Sequence, residues 1–104
     1  MEKRKPHHPL AHIKSLIQAG AFRVTRTALK NAARDFGFVE ANEIARRILL
    51  LNARDFYKSM TTIHDSSRWQ DVYQPEIEGV LAYVKVQIVE ESSVVISFKA
   101  LEDE

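Results

Sequence analysis

The sequence contains no cysteine, and only three glycines and three prolines among its 104 residues. Without cysteine, the chain can form neither a disulfide framework nor a thiolate metal site. No segment approaches the ~20 consecutive apolar residues of a membrane-spanning helix. The basic N-terminus leads into an amphipathic segment rather than a purely apolar one, which argues against a secretory signal. We therefore expect a cytoplasmic protein.

The charged residues are divided unevenly between the two halves of the chain. Residues 1–54 contain eleven Lys and Arg against four acids, and residues 55–104 contain four against ten, so the halves carry +7 and −6. A basic half is typical of a protein that binds a polyanion, although solvated helix faces explain the same pattern. The length predicts a single domain, residues 1–104, with residues 1–8 as a flexible arm.

Apolar residues recur at helical spacing in residues 10–17, 28–36 and 44–51, which predicts three helices. Residues suited to the ends of these helices are Pro9, Gly20, Thr25, Gly37 and Asn52. From residue 58 the period changes to two, predicting strands at 58–63, 68–73, 80–89 and 94–99. This order predicts an α+β fold in which N-terminal helices pack on a C-terminal antiparallel β-meander.

The register of the last hairpin brings two polar side chains together. If residues 90–92 form a three-residue loop, the apolar positions of the two strands face one another, including Val86 and Ile96. The same register pairs Tyr83 with Lys99 on the other face, where facing Cβ atoms lie ~5 Å apart. A slip of one residue would expose the apolar side chains, whereas a slip of two remains open.

The two preceding strands extend this patch. If residues 75–78 form the next loop, Gln70 pairs with Tyr83. Lys58 joins the patch if its strand lies alongside with the same face outward, which the sequence permits. The scheme leaves Asp71 on the core face, where the sequence shows no partner for its carboxylate.

Several segments together resemble one protein family. They are Asp55-Phe-Tyr-Lys-Ser-Met-Thr-Thr, Trp69-Gln-Asp-Val-Tyr, Tyr83-x-Lys and Ser97-Phe-Lys, together with Glu2-Lys-Arg-x-Pro-His, Ala19-Gly20, Thr25-Arg-Thr-Ala-Leu and Asn31-Ala. In this combination, and over nearly the whole chain, the sequence closely resembles the MqsR toxins, the motility quorum-sensing regulator family.

The resemblance implies a RelE-like fold and a ribosome-independent mRNA interferase, the toxin of a toxin-antitoxin pair, that cuts GC-containing triplets, chiefly GCU. It also implies inhibition by an antitoxin of the MqsA kind, which binds zinc and DNA, and no metal cofactor in the toxin itself. The active site attributed to the family falls on Lys58, Gln70, Tyr83 and Lys99. Two departures are expected to weaken RNA affinity or shift its preference: Gln74 replaces a usual basic residue, and the C-terminus is more acidic.

Metal-free RNA cleavage requires a base, an acid and a cation near the phosphate. We assign proton transfer to Lys58 or Tyr83, phosphate stabilisation to Lys99, and orientation of a base or the scissile phosphate to Gln70. Two further residues are candidates for substrate binding: Arg68 and Lys85.

Each of these residues also has a structural interpretation. Lys58 and Lys99 resemble the charges that protect edge strands from aggregation, and Tyr83 resembles a half-buried sheet tyrosine. The histidines at 7, 8 and 12 suggest a metal site, but no fourth ligand is evident, which favours arm residues. The alternative function is a non-catalytic module that binds RNA or an antitoxin, and a third is a purely structural partner.

Overall fold

The computed structural model describes residues 1–102 and consists of three helices and a seven-stranded mixed sheet, which confirms the predicted α+β class. The elements in chain order are β1 (Glu2–Lys3), α1 (Leu10–Gln18), β2 (Phe22–Val24), α2 (Arg26–Phe36), α3 (Ala41–Leu49), a 3-10 turn (Ala53–Asp55), β3 (Phe56–Thr61), β4 (Trp69–Tyr73), β5 (Glu76–Ile77), β6 (Val80–Val89) and β7 (Ser92–Ala100). Within residues 1–102, no helix has the length and apolar character needed to cross a membrane.

The helices begin and end largely where their capping residues predict. At the start of α2, the Thr25 hydroxyl accepts a hydrogen bond from the backbone N–H of Ala28 at 3.1 Å. Gly37 ends the same helix with φ of 74°, the left-handed conformation that glycine adopts without steric cost. The N-cap of α3 is Glu40, which forms a capping box with Glu43 and starts the helix at Ala41.

The sheet is not wholly antiparallel. Strands β3, β4, β6 and β7 are adjacent and antiparallel, as predicted, and β1 adds to the outer edge of β3. Strand β2, by contrast, pairs in parallel with β7, beginning with Phe22 beside Ser93. Its position satisfies backbone groups on the edge of β7, because the Ser93 N–H donates to the Ala21 carbonyl at 3.0 Å.

The hydrophobic core lies between the helices and one face of the sheet. Buried residues from all three helices form a single cluster with Tyr73, Val84 and Phe98 from the strands. The ring of Phe98 packs edge-on against those of Phe36 and Phe38, at 5.7 and 6.0 Å between ring centres. Each fully buried apolar side chain of this size contributes about 1.5–3 kcal/mol to folding.

The predicted register of the last hairpin is confirmed in the half far from the turn and wrong in the half next to it. Tyr83 pairs with Lys99, and Lys85 pairs with Ser97. A β-bulge follows, and beyond it Val86 faces Val95 rather than Ile96. The loop contains two residues instead of three, because Glu90 and Glu91 both adopt positive φ, as a type I′ turn requires.

Replacing Glu91 by glycine should stabilise the protein by about 0.5–1 kcal/mol, since the left-handed conformation costs a side chain about that much or more. The exposed contact that the Glu91 carboxylate makes with the His12 ring at 3.3 Å contributes little. Urea unfolding would measure the change. Glu76→Gly in β5, where φ is not positive, should instead destabilise the protein. Equal effects at both positions would contradict the inference that the backbone of Glu91 is strained.

Candidate functional site

The pairing of β4 with β6 decides which polar residues lie together. Val72 is opposite Lys85 and Tyr73 is opposite Val84. The predicted pairing of Gln70 with Tyr83 is therefore wrong by four residues along β6. The error arises after Pro75, where residues 76–81 form a small hairpin of their own instead of a single loop.

Four polar side chains converge on the sheet face opposite the helical core. Lys58 on β3 and Lys85 on β6 flank Val72 from its two sides, and Tyr83 lies opposite Lys99. Val72 is fully buried although it points away from the helices, consistent with the long stems of neighbouring side chains covering it. We call the set of Lys58, Tyr83, Lys85 and Lys99 the lysine–tyrosine cluster.

Within the cluster, the ring of Tyr83 lies between charged groups. The ammonium of Lys99 is 5.6 Å from the centre of this ring, and that of Lys85 is 6.0 Å from it. Burial raises the pKa of the Tyr83 phenol, and the nearby positive charge of Lys58 partly opposes this effect. The phenol therefore keeps its proton at neutral pH and can donate it.

The lysines of the cluster differ in their electrostatic environments. The hydrogen bond from the Lys58 ammonium to the Glu2 carboxylate, 2.7 Å long, raises the pKa of Lys58. Burial lowers the pKa of Lys85, and the positive charges of Lys99 and Lys58 lower it further. The surroundings of Lys85 therefore favour loss of its ammonium proton.

An open cleft of about 360 Å³ lies beside the cluster, and the residues that line it are Tyr57, Gln74, Tyr83, Lys99, Leu101 and Glu102. Strict alternation would place Tyr57 on the face opposite Lys58, but a register shift between Phe56 and Lys58 allows it to line the cleft. The sequence contains no clear signal for this irregularity. Gln74, by contrast, was singled out in the sequence, and it shares the strand parity of Gln70.

Two of the predicted site residues lie outside the cluster. Gln70 is two residues along β4 from Val72, and its side-chain amide donates to the Gln87 side-chain oxygen at 3.2 Å. Arg68 precedes β4, ~13 Å along the chain from Val72, and its guanidinium pairs with Asp65 at 3.2 Å. The structure thus brings together four of the six residues predicted to act on or bind the substrate.

Asp71 has the partners that the sequence did not reveal. Its buried carboxylate accepts the backbone N–H groups of His7 and His8, at 3.0 and 2.8 Å, and the hydroxyl of Ser59. The sequence predicts a flexible arm in residues 1–8, but the structure places this segment along the sheet, with β1 paired to β3 and the His7 ring stacked on Trp69. Three donors to one carboxylate explain this ordered position.

The other features considered for the site lie elsewhere. A cavity of about 170 Å³ on the helical side, between α3 and the β5–β6 hairpin, is not lined by any member of the cluster. Within residues 1–102, no three His, Asp or Glu side chains are grouped as metal ligands would be.

Comparison with known proteins gives two matches. The family described as motility quorum-sensing regulator, toxin of MqsA, matches residues 5–100. The mRNA interferase toxin MqsR of Escherichia coli strain K12 is 41% identical over 99 residues, which cover 95% of this chain and 98% of that protein.

Replacing Asp71 by asparagine should release the arm from the sheet, because an amide presents only one acceptor oxygen to three donors. We expect a loss of about 1–3 kcal/mol in unfolding free energy, limited by the ability of the freed N–H groups to bind water. Urea unfolding would measure this loss, and hydrogen exchange would show faster exchange at the Thr61 amide, which donates to the Met1 carbonyl. Asp65→Asn in the exposed turn should leave that amide protected.

Proposed function

The chain belongs to the motility quorum-sensing regulator (MqsR) toxin family, and from this premise we propose that its lysine–tyrosine cluster cleaves mRNA. The protein is an mRNA interferase toxin, as the family and its relative indicate. The observation that supports this site is the convergence of Lys58, Tyr83, Lys85 and Lys99 on one open face of the sheet. A polyanion can approach this face, and the cluster supplies both charge and proton-transfer groups.

The reaction begins when a ribose 2′-hydroxyl attacks the adjacent phosphorus. Lys85, with its lowered pKa, accepts the hydroxyl proton as the general base. Tyr83, with its raised pKa, donates a proton to the departing 5′-oxygen as the general acid. The products are a 2′,3′-cyclic phosphate and a 5′-hydroxyl. No metal ion takes part in this scheme.

The remaining lysines act as cations. Lys99 and Lys58 stabilise the negative charge that accumulates on the phosphate oxygens in the transition state. The hydrogen bond to Glu2 makes Lys58 a poor base, which revises the earlier choice between Lys58 and Tyr83 for proton transfer. Gln70, held by Gln87, orients the substrate next to the reacting phosphate, and Arg68 binds RNA beyond it.

The family also supports a more specific set of properties. We infer cleavage at GC-containing triplets, GCU in particular, with Gln74 weakening RNA affinity because it lines the cleft where the family usually carries a basic residue. The helices on one face of an antiparallel β3–β4–β6–β7 sheet support a RelE-like fold. The toxin acts on mRNA in the cytoplasm, and its partner is an MqsA-type antitoxin that binds zinc and DNA. Asp103 and Glu104, part of the acidic C-terminus, lie outside the described residues.

Purified protein in excess EDTA should cut an unstructured RNA at its GC-containing triplets, leaving cyclic-phosphate and 5′-hydroxyl ends. Lys99→Ala should lose at least tenfold in kcat/KM, because the phosphorane then lacks one of the two cations that stabilise it. End mapping of the fragments measures both the position and the chemistry of cleavage. Salt-dependent RNA binding by folded protein without any cleavage would instead support the non-catalytic binding module.

Arginine substitutions distinguish a base from a cation, because arginine keeps its charge and does not release its proton. Lys85→Arg should reduce kcat about 10²–10⁴-fold, whereas Lys99→Arg should retain most activity. In the native protein, the logarithm of kcat/KM should rise with pH between about 6 and 9, because neutral Lys85 is the active form and its pKa lies below the usual ~10.4. Retained activity in Lys85→Arg would exclude this lysine as the base.

A further inference from the structure

Two residues near the ends of the chain place carboxylates beside lysines of the cluster. Glu2 accepts a hydrogen bond from the Lys58 ammonium at 2.7 Å, and a carboxylate oxygen of Glu102 lies 3.9 Å from the ammonium of Lys99. The shorter contact also involves the less exposed lysine, since the side chain of Lys58 is 19% exposed and that of Lys99 is 34% exposed. Glu2 therefore forms the closer of the two ion pairs.

Backbone and side-chain contacts hold Glu2 in place. In β1, Glu2 pairs with Met60, and the Met1 carbonyl accepts the Thr61 N–H at 3.0 Å. The N-terminal ammonium also donates to the Thr61 hydroxyl at 2.9 Å. Farther along the arm, the buried Asp71 carboxylate binds the backbone N–H groups at residues 7 and 8. The Glu2 carboxylate thus reaches Lys58 from an edge strand whose flanking residues are held at both ends of the arm.

A carboxylate in this position resembles the substrate in its chemistry. Carboxylate and phosphate oxygens accept the same charge-assisted hydrogen bonds from an ammonium group. An RNA phosphate brought to Lys58 would meet the negative charge of Glu2 at close range, and the two anions would repel each other. The two groups therefore compete for a single ammonium.

We propose that Lys58 marks a phosphate-binding subsite that Glu2 occupies in the free protein and that RNA must take over. Because only the proposed function places Lys58 at an RNA site, the subsite rests on that function as well. While Glu2 is bound, Lys58 adds little net charge to the attraction of RNA. Glu2 therefore lowers the affinity of the toxin for its substrate.

The test is the binding of a short 2′-fluoro RNA containing GCU, which lacks the 2′-hydroxyl needed for cleavage. Fluorescence anisotropy would give Kd for the native chain and Glu2→Gln between about 50 and 200 mM salt. Glu2→Gln should tighten binding several-fold at low salt and steepen the slope of log K against log salt by about 0.7, the value for one more neutralised phosphate on a single strand. Protection of the Thr61 amide from hydrogen exchange would show that β1 stays paired.

Two matched variants test whether the effect acts through Lys58. Glu78→Gln removes the same charge from an exposed glutamate that pairs with Arg47 at 3.3 Å, and it should leave the salt slope unchanged. In a Lys58→Gln background, Glu2→Gln should have no further effect on affinity. An effect that persists without Lys58, or an unchanged slope in Glu2→Gln, would overturn the subsite.

Cleavage of unmodified RNA in EDTA separates this inference from the proposed function. If the native chain cleaves RNA while Glu2→Gln binds no more tightly, only the subsite is overturned. If Glu2→Gln binds more tightly through Lys58 while no variant cleaves, the subsite is supported and the catalytic function is overturned.

Discussion

The alternation of side chains along β6 is the constraint on which both the core and the candidate site depend. This strand pairs with β4 on one side and β7 on the other, so neither face can shift without breaking two sets of backbone hydrogen bonds. Ala82, Val84 and Val86 point to the helices and are fully buried. Tyr83 and Lys85 consequently project from the opposite face, where β3 and β7 contribute their lysines.

Three ammonium groups on one small surface repel one another, and the fold offsets that repulsion differently for each of them. Lys58 receives the Glu2 carboxylate, and Lys99 has Glu102 at a longer distance. Lys85 is half-buried between the other two, and its pKa falls as a result. In the proposed mechanism, chemically identical side chains are thereby divided between charge stabilisation and proton transfer at a single phosphate.

The N-terminal arm connects the stability of the sheet edge to the chemistry of its open face. Asp71 fixes the arm on the core side of β4, while Glu2 reaches the cluster from β1 at the outer edge of β3. A buried carboxylate is expensive unless its oxygens are fully bonded, and the arm provides two of its donors. Ordering the first eight residues is therefore part of satisfying Asp71.

Local patterns in the sequence predict most elements of this fold and one half of its site. Periodicity and capping residues located three helices and four long strands, because those signals act over a few neighbouring residues. The apolar pattern of β6 and β7 excluded a one-residue slip, and an assumed three-residue loop then paired Tyr83 with Lys99. That pairing is correct because the shorter turn and the β-bulge offset each other. The family resemblance indicated the activity, which no periodicity reveals.

Features that depend on irregular or distant contacts are visible only in the folded structure. The small hairpin after Pro75 shifted the pairing of β4 with β6 by four residues, so that Gln70 does not lie beside Tyr83. The bulge next to Lys58 turned Tyr57 toward the cleft, and the arm reached Asp71 across more than sixty positions of sequence. Bulges, turns and long-range contacts leave no periodic trace in the chain, because their energies arise only once the strands have met.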